Sequence, residues 1–167
     1  MINGYIPAAR FLPFLSWTDV AALPDKSNTV IVLPTGAIEQ HGPHLPCSVD
    51  SVISSGVAGH ALARLPATIP AYAIPPIVYG KSEEHLHFPG TLTLSGDTLL
   101  HTLLEIAESL YRAGFRKLLM INGHGGQPQI LQIACREMRL RHGDFIATTH
   151  DVFNVPNCEK QFLSPHE

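Results

Sequence analysis

Charged side chains and sulfur are both scarce in this chain. Lysine, arginine, aspartate and glutamate make up only 15% of its 167 residues, and eleven basic groups against fourteen acidic ones give a formal net charge of −3. With a pI near 6.3, there is no basic surplus to neutralise a phosphate backbone, so nucleic acid is not an expected partner. The three cysteines, Cys47, Cys135 and Cys158, are an odd number without CxxC spacing. That excludes a disulfide framework and a zinc ribbon as organising devices and points to a reducing cytoplasm. Long apolar runs are missing as well. Nowhere does the chain offer the uninterrupted stretch of about 18 residues that a membrane-spanning helix needs, so a soluble protein without a membrane partner is expected. The amino-terminal stretch from Met1 to Trp17 is broken by Pro7, Arg10 and Pro13. It lacks the basic start and clean apolar core of a signal peptide.

What is present suits a globular fold. A hydrophobic content of 45% can bury a real core, and the length fits a single domain over residues 1–167. Residues 28–34 form a near-continuous apolar run of the kind buried on both faces of a parallel sheet. A helix is predicted over 51–65, where Val52, Ile53, Val57, Ala61, Leu62 and Leu65 recur at spacings of three and four. Pro66 stops it, and Asp50 stands where an N-cap would. Residues 73–79 read as an irregular or edge strand because of Pro75 and Pro76, and 91–94 as a short strand. A strongly amphipathic helix starts near Asp97 and closes at Gly114. Strand 117–121, a glycine-rich turn over 122–127, a helix from Pro128 to His142 and a strand over 145–149 complete the pattern, and 152–167 shows no period. Strand and helix alternate, which predicts a parallel sheet with helices on its faces. In such sheets ligands bind beyond the carboxyl ends of the strands.

Ten histidines against only eleven lysines and arginines are unusual, and imidazole is well suited to metal ligation and proton transfer. The first strand runs into Pro34-Thr-Gly-Ala-Ile-Glu39-Gln-His41-Gly-Pro-His44, with Asp50 following. Residues two apart in extended backbone point the same way, so Glu39 and His41 can face one ion together. Carboxylate and imidazole suit zinc, manganese or ferrous iron. The plainer reading is a polar loop that places Asp50 at a helix start. The second block, Ile121-Asn-Gly-His124-Gly-Gly-Gln127, leaves His124 uncovered between glycines. Its rival reading is an anion cradle formed by the Gly125 and Gly126 amides, although the lysine of a P-loop is missing. The third block runs from Tyr79 to Thr91, and its His85 and His87 are by themselves more often solvated than catalytic. His60 and His101 fall within helices, His142 is placed to meet a helix carboxyl end, and His166 lies in the tail.

Taken together, Glu39-Gln-His41-Gly-Pro-His44-Leu-Pro with Asp50, Tyr79-Gly with Ser82, His85 and Phe88-Pro-Gly-Thr91, and Asn122-Gly-His124-Gly-Gly resemble the creatininase (creatinine amidohydrolase) family. The blocks keep the family's order and rough spacing from about Leu33 onward. The resemblance implies a three-layer α/β/α sandwich around a mostly parallel sheet, and homo-oligomers, usually hexamers. It also implies hydrolysis of a cyclic or linear amide, creatinine-like or formamide-type, at a site of two divalent ions. Carried over by position, Glu39 and His124 would hold one ion and His41 the other, with Asp50 bridging. His85 would take a supporting polar role, and Asn122 would position its turn. A metal-activated water would attack the amide carbonyl. One departure stands out. Creatinine-hydrolysing members carry a glutamate where this chain has Gly126, and members with the Gly-Gly form take one from a later His-Ala-Gly segment that is not found up to Glu167. The expectation is therefore a chain lacking the family's carboxyl-terminal part. The alternative reading is an inactive or truncated member acting as an assembly or binding subunit.

Overall fold

The computed structural model describes residues 2–154. Its core is a four-stranded sheet made of β1 (Val30–Thr35), β2 (Ala71–Ala73), β3 (Lys117–Asn122) and β4 (Ile146–Asp151). The strand order is β2-β1-β3-β4 and every pairing is parallel. Parallel neighbours require crossovers. These are supplied by α2 (Val49–Arg64), α3 (Gly96–Arg112) and α4 (Pro128–Arg141), after a short amino-terminal α1 (Trp17–Ala22).

Alternation along the strands sorts the core into two layers. Ile31, Leu33, Leu118 and Met120 pack with Leu99, Leu103 and Leu104 of α3 and with Leu131, Ala134 and Met138 of α4. Val32 and Ile121 point the other way, toward Ala58 and Leu62 of α2 and toward Ile6 and Phe11 of the amino-terminal segment. The result is the expected α/β/α sandwich, with a core on each face of the sheet. Cys135 belongs to the α3–α4 side, where burial pushes its thiol up to about 11. Cys47 is half-buried, and both are free thiols. Among the described residues, no helix is long and apolar enough to cross a membrane.

Local signals explain most element boundaries. The Ser95 hydroxyl accepts the Thr98 amide at the start of α3, and Gly114, at φ +99, turns the chain out of its end. Pro128 opens α4, where a missing amide hydrogen costs nothing. Several expectations shift. The strand expected over 73–79 is only Ala71–Ala73, because Pro75 and Pro76 have no amide to donate. Beyond them Ile77 rejoins β1 through a bridge to Thr35. The strand expected over 91–94 is a single antiparallel bridge between Leu92 and Ile38. Asp50 is not an N-cap: Ser48 holds that place and Asp50 lies in the first turn of α2, which frees its carboxylate. Helix α1, absent from the sequence reading, is fixed by a capping box between Ser16 and Asp19. Of the aperiodic stretch 152–167, Val152–Asn154 forms one 3-10 turn; the rest, with Cys158 and His166, lies outside the described residues.

The connectivity decides where a ligand can sit. From β1 the chain crosses through α2 to β2 on one side, whereas from β3 it crosses through α4 to β4 on the other. The carboxyl ends of β1 and β3 are adjacent, yet their chains leave in opposite directions and over opposite faces. That switch point opens a crevice between them.

Candidate functional site

Strands β1 and β3 end in register, Thr35 beside Asn122. The loop after β1 carries Glu39 and His41, α2 returns with Asp50 in its first turn, and the turn after β3 carries His124. Two glycines set how close these pieces come. A Cβ on Gly36 would overlap the backbone of Ser51, and one on Gly123 would overlap the carbonyl of Asp50. Helix α2 therefore rests its amino terminus directly on the strand ends. Asp50 lands between the two histidines: its Oδ1 is 2.9 Å from His41 Nε2 and its Oδ2 is 2.9 Å from His124 Nδ1. Glu39 Oε1 completes the group, 3.3 Å from His124 Nδ1. Glu39, Asp50 and His124 are all buried.

Proton accounting shows what this group requires. A carbonyl can only accept, so His124 Nε2, at 2.8 Å from the Lys81 carbonyl, carries a hydrogen. His41 Nδ1 faces the Glu39 carbonyl at 3.2 Å in the same way. Each ring thus lies between a carbonyl and a carboxylate, and a neutral imidazole has one N–H for two acceptors. A positive charge, proton or metal cation, must lie between each ring and Asp50. The buried Glu39 Oε2, Asp50 Oδ2 and His124 Nδ1 have no hydrogen-bond partner among the described residues, so the short His124–Asp50 approach lacks hydrogen-bond alignment. With only protons to share, burial opposes a charged His124, but Asp50, the Lys81 carbonyl and the charge of Glu39 outweigh it. The pKa of His124 stands above the ordinary imidazole value. Glu39, His41 and Asp50 also place one ligand atom each close enough together to hold a cation.

The loop after β2 closes the crevice. His85 Nε2 lies 3.9 Å from Glu39 Oε2. Gln40 accepts the Gly42 amide through Oε1 at 2.9 Å, which turns its NH2 group toward His85 Nδ1 at 3.3 Å. His85 Nδ1 is then an acceptor, and its proton sits on Nε2, toward the carboxylates. His87 packs against Phe88 instead, with ring centroids 4.2 Å apart and planes tilted by 43°. His44, His60 and His101 are exposed and stand apart from the cluster.

Sequence reading missed Glu84. Its Oε1 lies 3.9 Å from His124 Nε2, and Glu39, Glu84 and His124 form a second group able to hold a cation. The same oxygen takes the space that a Cβ on Gly126 would need. The only signal was an acidic pair beside His85, and nothing in its spacing says which of the two exposed carboxylates approaches His124. Burial alone would raise the Glu84 pKa, but backbone hydrogen bonding and the Lys81 charge hold it below the usual carboxylate value. Carboxylates around the Gly125–Gly126 turn also make it a poor cradle for phosphate.

Comparison with known proteins agrees with this geometry. The family profile for creatininase, described as creatinine amidohydrolase, matches residues 13–166. The chain is 37% identical over 117 residues to the mycofactocin precursor peptide peptidase of Mycolicibacterium smegmatis, covering 69% of this chain and 47% of that protein. It is 34% identical over 138 residues to the creatinine amidohydrolase of Pseudomonas putida, covering 77% and 52%. The chain thus spans about half the length of these relatives. A solved creatininase mutant of Zn-Zn type superposes with a TM-score of 0.78 at 30% identity, covering 94% of this chain and 64% of that one. Matched across nearly all of its length by the profile and across most of it by these relatives, the chain belongs to the creatininase family.

Proposed function

We propose that this chain carries the metal-binding centre of a metal-dependent amidohydrolase that cleaves an amide C–N bond. In this reading Glu39 and His124 hold one divalent cation, His41 the other, and Asp50 lies between them. One observation carries it: the two oxygens of Asp50 each face a different imidazole nitrogen at 2.9 Å, and the other nitrogen of each ring is engaged by a backbone carbonyl. Carbonyl engagement of the distal nitrogen is how ligating histidines are commonly oriented. The unpartnered, buried Glu39 Oε2, Asp50 Oδ2 and His124 Nδ1 suit a cation better than a second layer of protons.

Bound zinc, manganese or iron would polarise the amide carbonyl and lower the pKa of a water. The protein's own groups supply the rest. Burial of Glu39, Asp50 and His124 keeps the carboxylate and imidazole orientations fixed, and His85, with its proton on Nε2, stands ready to support the departing nitrogen. The substrate class is a small-molecule amide, creatinine-like or formamide-type. The similarity to a precursor peptide peptidase adds short peptides to the candidates. A cytoplasmic homo-oligomer, hexameric by family resemblance, belongs to the same proposal, and light scattering on the purified protein tests the assembly.

Metal analysis of purified wild-type protein and of Asp50→Ala tests the centre directly. Wild-type protein is expected to retain divalent metal and the variant to lose it; full retention by Asp50→Ala would overturn the assignment. With metal supplied, turnover of creatinine, formamides and short peptides separates an active hydrolase from a silent binding subunit.

A further inference from the structure

We infer that Gln127 is a positioning residue that sets which ring nitrogen of His124 faces the carboxylates. It occupies the N-cap position of α4, yet its side chain makes no capping hydrogen bond. It is instead wholly buried and reaches across the crevice floor. Its Nε2 donates to Asn122 Oδ1 at 3.0 Å and to the Gly36 carbonyl at 3.3 Å, while its Oε1 accepts the Lys81 amide at 3.2 Å. Two oxygens on one side and an N–H on the other leave the amide a single workable orientation. One side chain thereby joins the loops that follow β1, β2 and β3.

Both routes from Gln127 end at His124. Through the first, Gln127 fixes Lys81 by its N–H, and Thr93 Oγ1 fixes the next amide, that of Ser82, at 2.8 Å. The Lys81 carbonyl between these anchors is the group that takes the proton of His124 Nε2 at 2.8 Å. Through the second, Gln127 orients Asn122, whose Oδ1 accepts the His124 amide at 3.2 Å and whose Nδ2 donates to the His124 carbonyl at 2.8 Å. Backbone and ring are thus held together, and Nδ1 is left bare toward Asp50 and Glu39. Without Gln127 the part-buried Lys81 amide loses its acceptor, a costly state that the loop relieves by moving. The Lys81 carbonyl then shifts away from Nε2, and the other tautomer becomes accessible.

This inference deepens the metal reading, and its test separates the two. Ring 15N spectra of chelator-treated protein, recorded where imidazoles are neutral, report the His124 tautomer, with His124→Gln used for assignment. Zinc affinity comes from competition with a chromophoric chelator. We expect wild-type protein to show the Nε2-protonated form. Gln127→Met should mix the tautomers and weaken zinc binding by about tenfold or more. Gln127→Glu keeps an acceptor for the Lys81 amide but loses the donor to Asn122 Oδ1 and the Gly36 carbonyl. It therefore tests the Lys81 route alone and should retain the wild-type tautomer; a mixed or Nδ1-protonated ring in this variant would overturn that route. An Nδ1-protonated His124 in wild-type protein overturns the inference, as does a folded Gln127→Met with wild-type tautomer and zinc affinity. If Gln127→Met does not fold, the wild-type and Gln127→Glu spectra decide. A wild-type protein that takes up no zinc refutes the metal reading, while the tautomer still judges Gln127.

Discussion

Single side chains already divide the labour of the crevice. Glu39, His41, Asp50 and His124 turn lone pairs inward, whereas His85 is held by Gln40 in the form that carries a proton on its inward nitrogen. At 3.9 Å from Glu39 Oε2 that proton stands beside the centre without being part of it. We therefore expect His85→Gln to keep its bound metal and to lose amide turnover by about 10²–10⁴-fold, the range for removing a general acid or base. Steady-state kinetics alongside metal analysis check this. A parallel loss of metal would make His85 a ligand instead.

Secondary-structure elements meet a different problem at the opposite end of the sheet, where α3 and α4 finish and β3 and β4 begin. Tyr111 of α3 stacks on His142 with centroids 3.6 Å apart and planes at 15°, and the Arg116 guanidinium lies 3.9 Å over the tyrosine ring. Asp144 accepts from Arg116 at 2.8 Å and from the Tyr111 hydroxyl at 3.0 Å. His142 donates to Glu108 at 2.7 Å. The Arg116 hydrogen bond holds the Asp144 carboxyl below its ordinary value, and the His142 hydrogen bond does the same for Glu108. A carboxylate depressed in the folded state stabilises it above the unfolded pKa, and that contribution disappears as pH falls through the folded pKa. Asp144→Asn should therefore lower the thermal midpoint at neutral pH, and its gap from wild type should close as the medium is acidified below the usual carboxylate range. Melting curves from neutral to strongly acidic buffer measure it. A gap that stays constant with pH would remove the ionic contribution.

Across the whole molecule, the order β2-β1-β3-β4 places the crevice where two crossovers part. Every proposed ligand but one sits on the β1–α2 segment, and His124 alone comes from β3. The unfolded chain cannot hold these groups together, so a cation bound only by the fold must stabilise it. Free zinc at one hundred times its dissociation constant contributes about 2.7 kcal/mol. For a chain of this size that corresponds to a rise in thermal midpoint of roughly 5–10 °C. Scanning calorimetry with and without chelator should show the rise in wild-type protein and its loss in Asp50→Ala. An equal rise in both would place the bound metal elsewhere.

Alternation and periodicity in the chain were enough to determine the parallel α/β class, the helices over α2, α3 and α4, and the two motif blocks at strand ends, because these depend on neighbours within a few residues. The Glu39–His41 pair was legible for the same reason: extended backbone points residues two apart the same way. Contacts over long separations were not. The approach of the exposed Glu84 to His124, the burial of Gln127 beneath three loops and the seat of Asp50 between two imidazoles depend on strand order and on how closely α2 settles over Gly36 and Gly123. Local sequence carries no record of which loops become neighbours; packing of the sheet and its helices settles that.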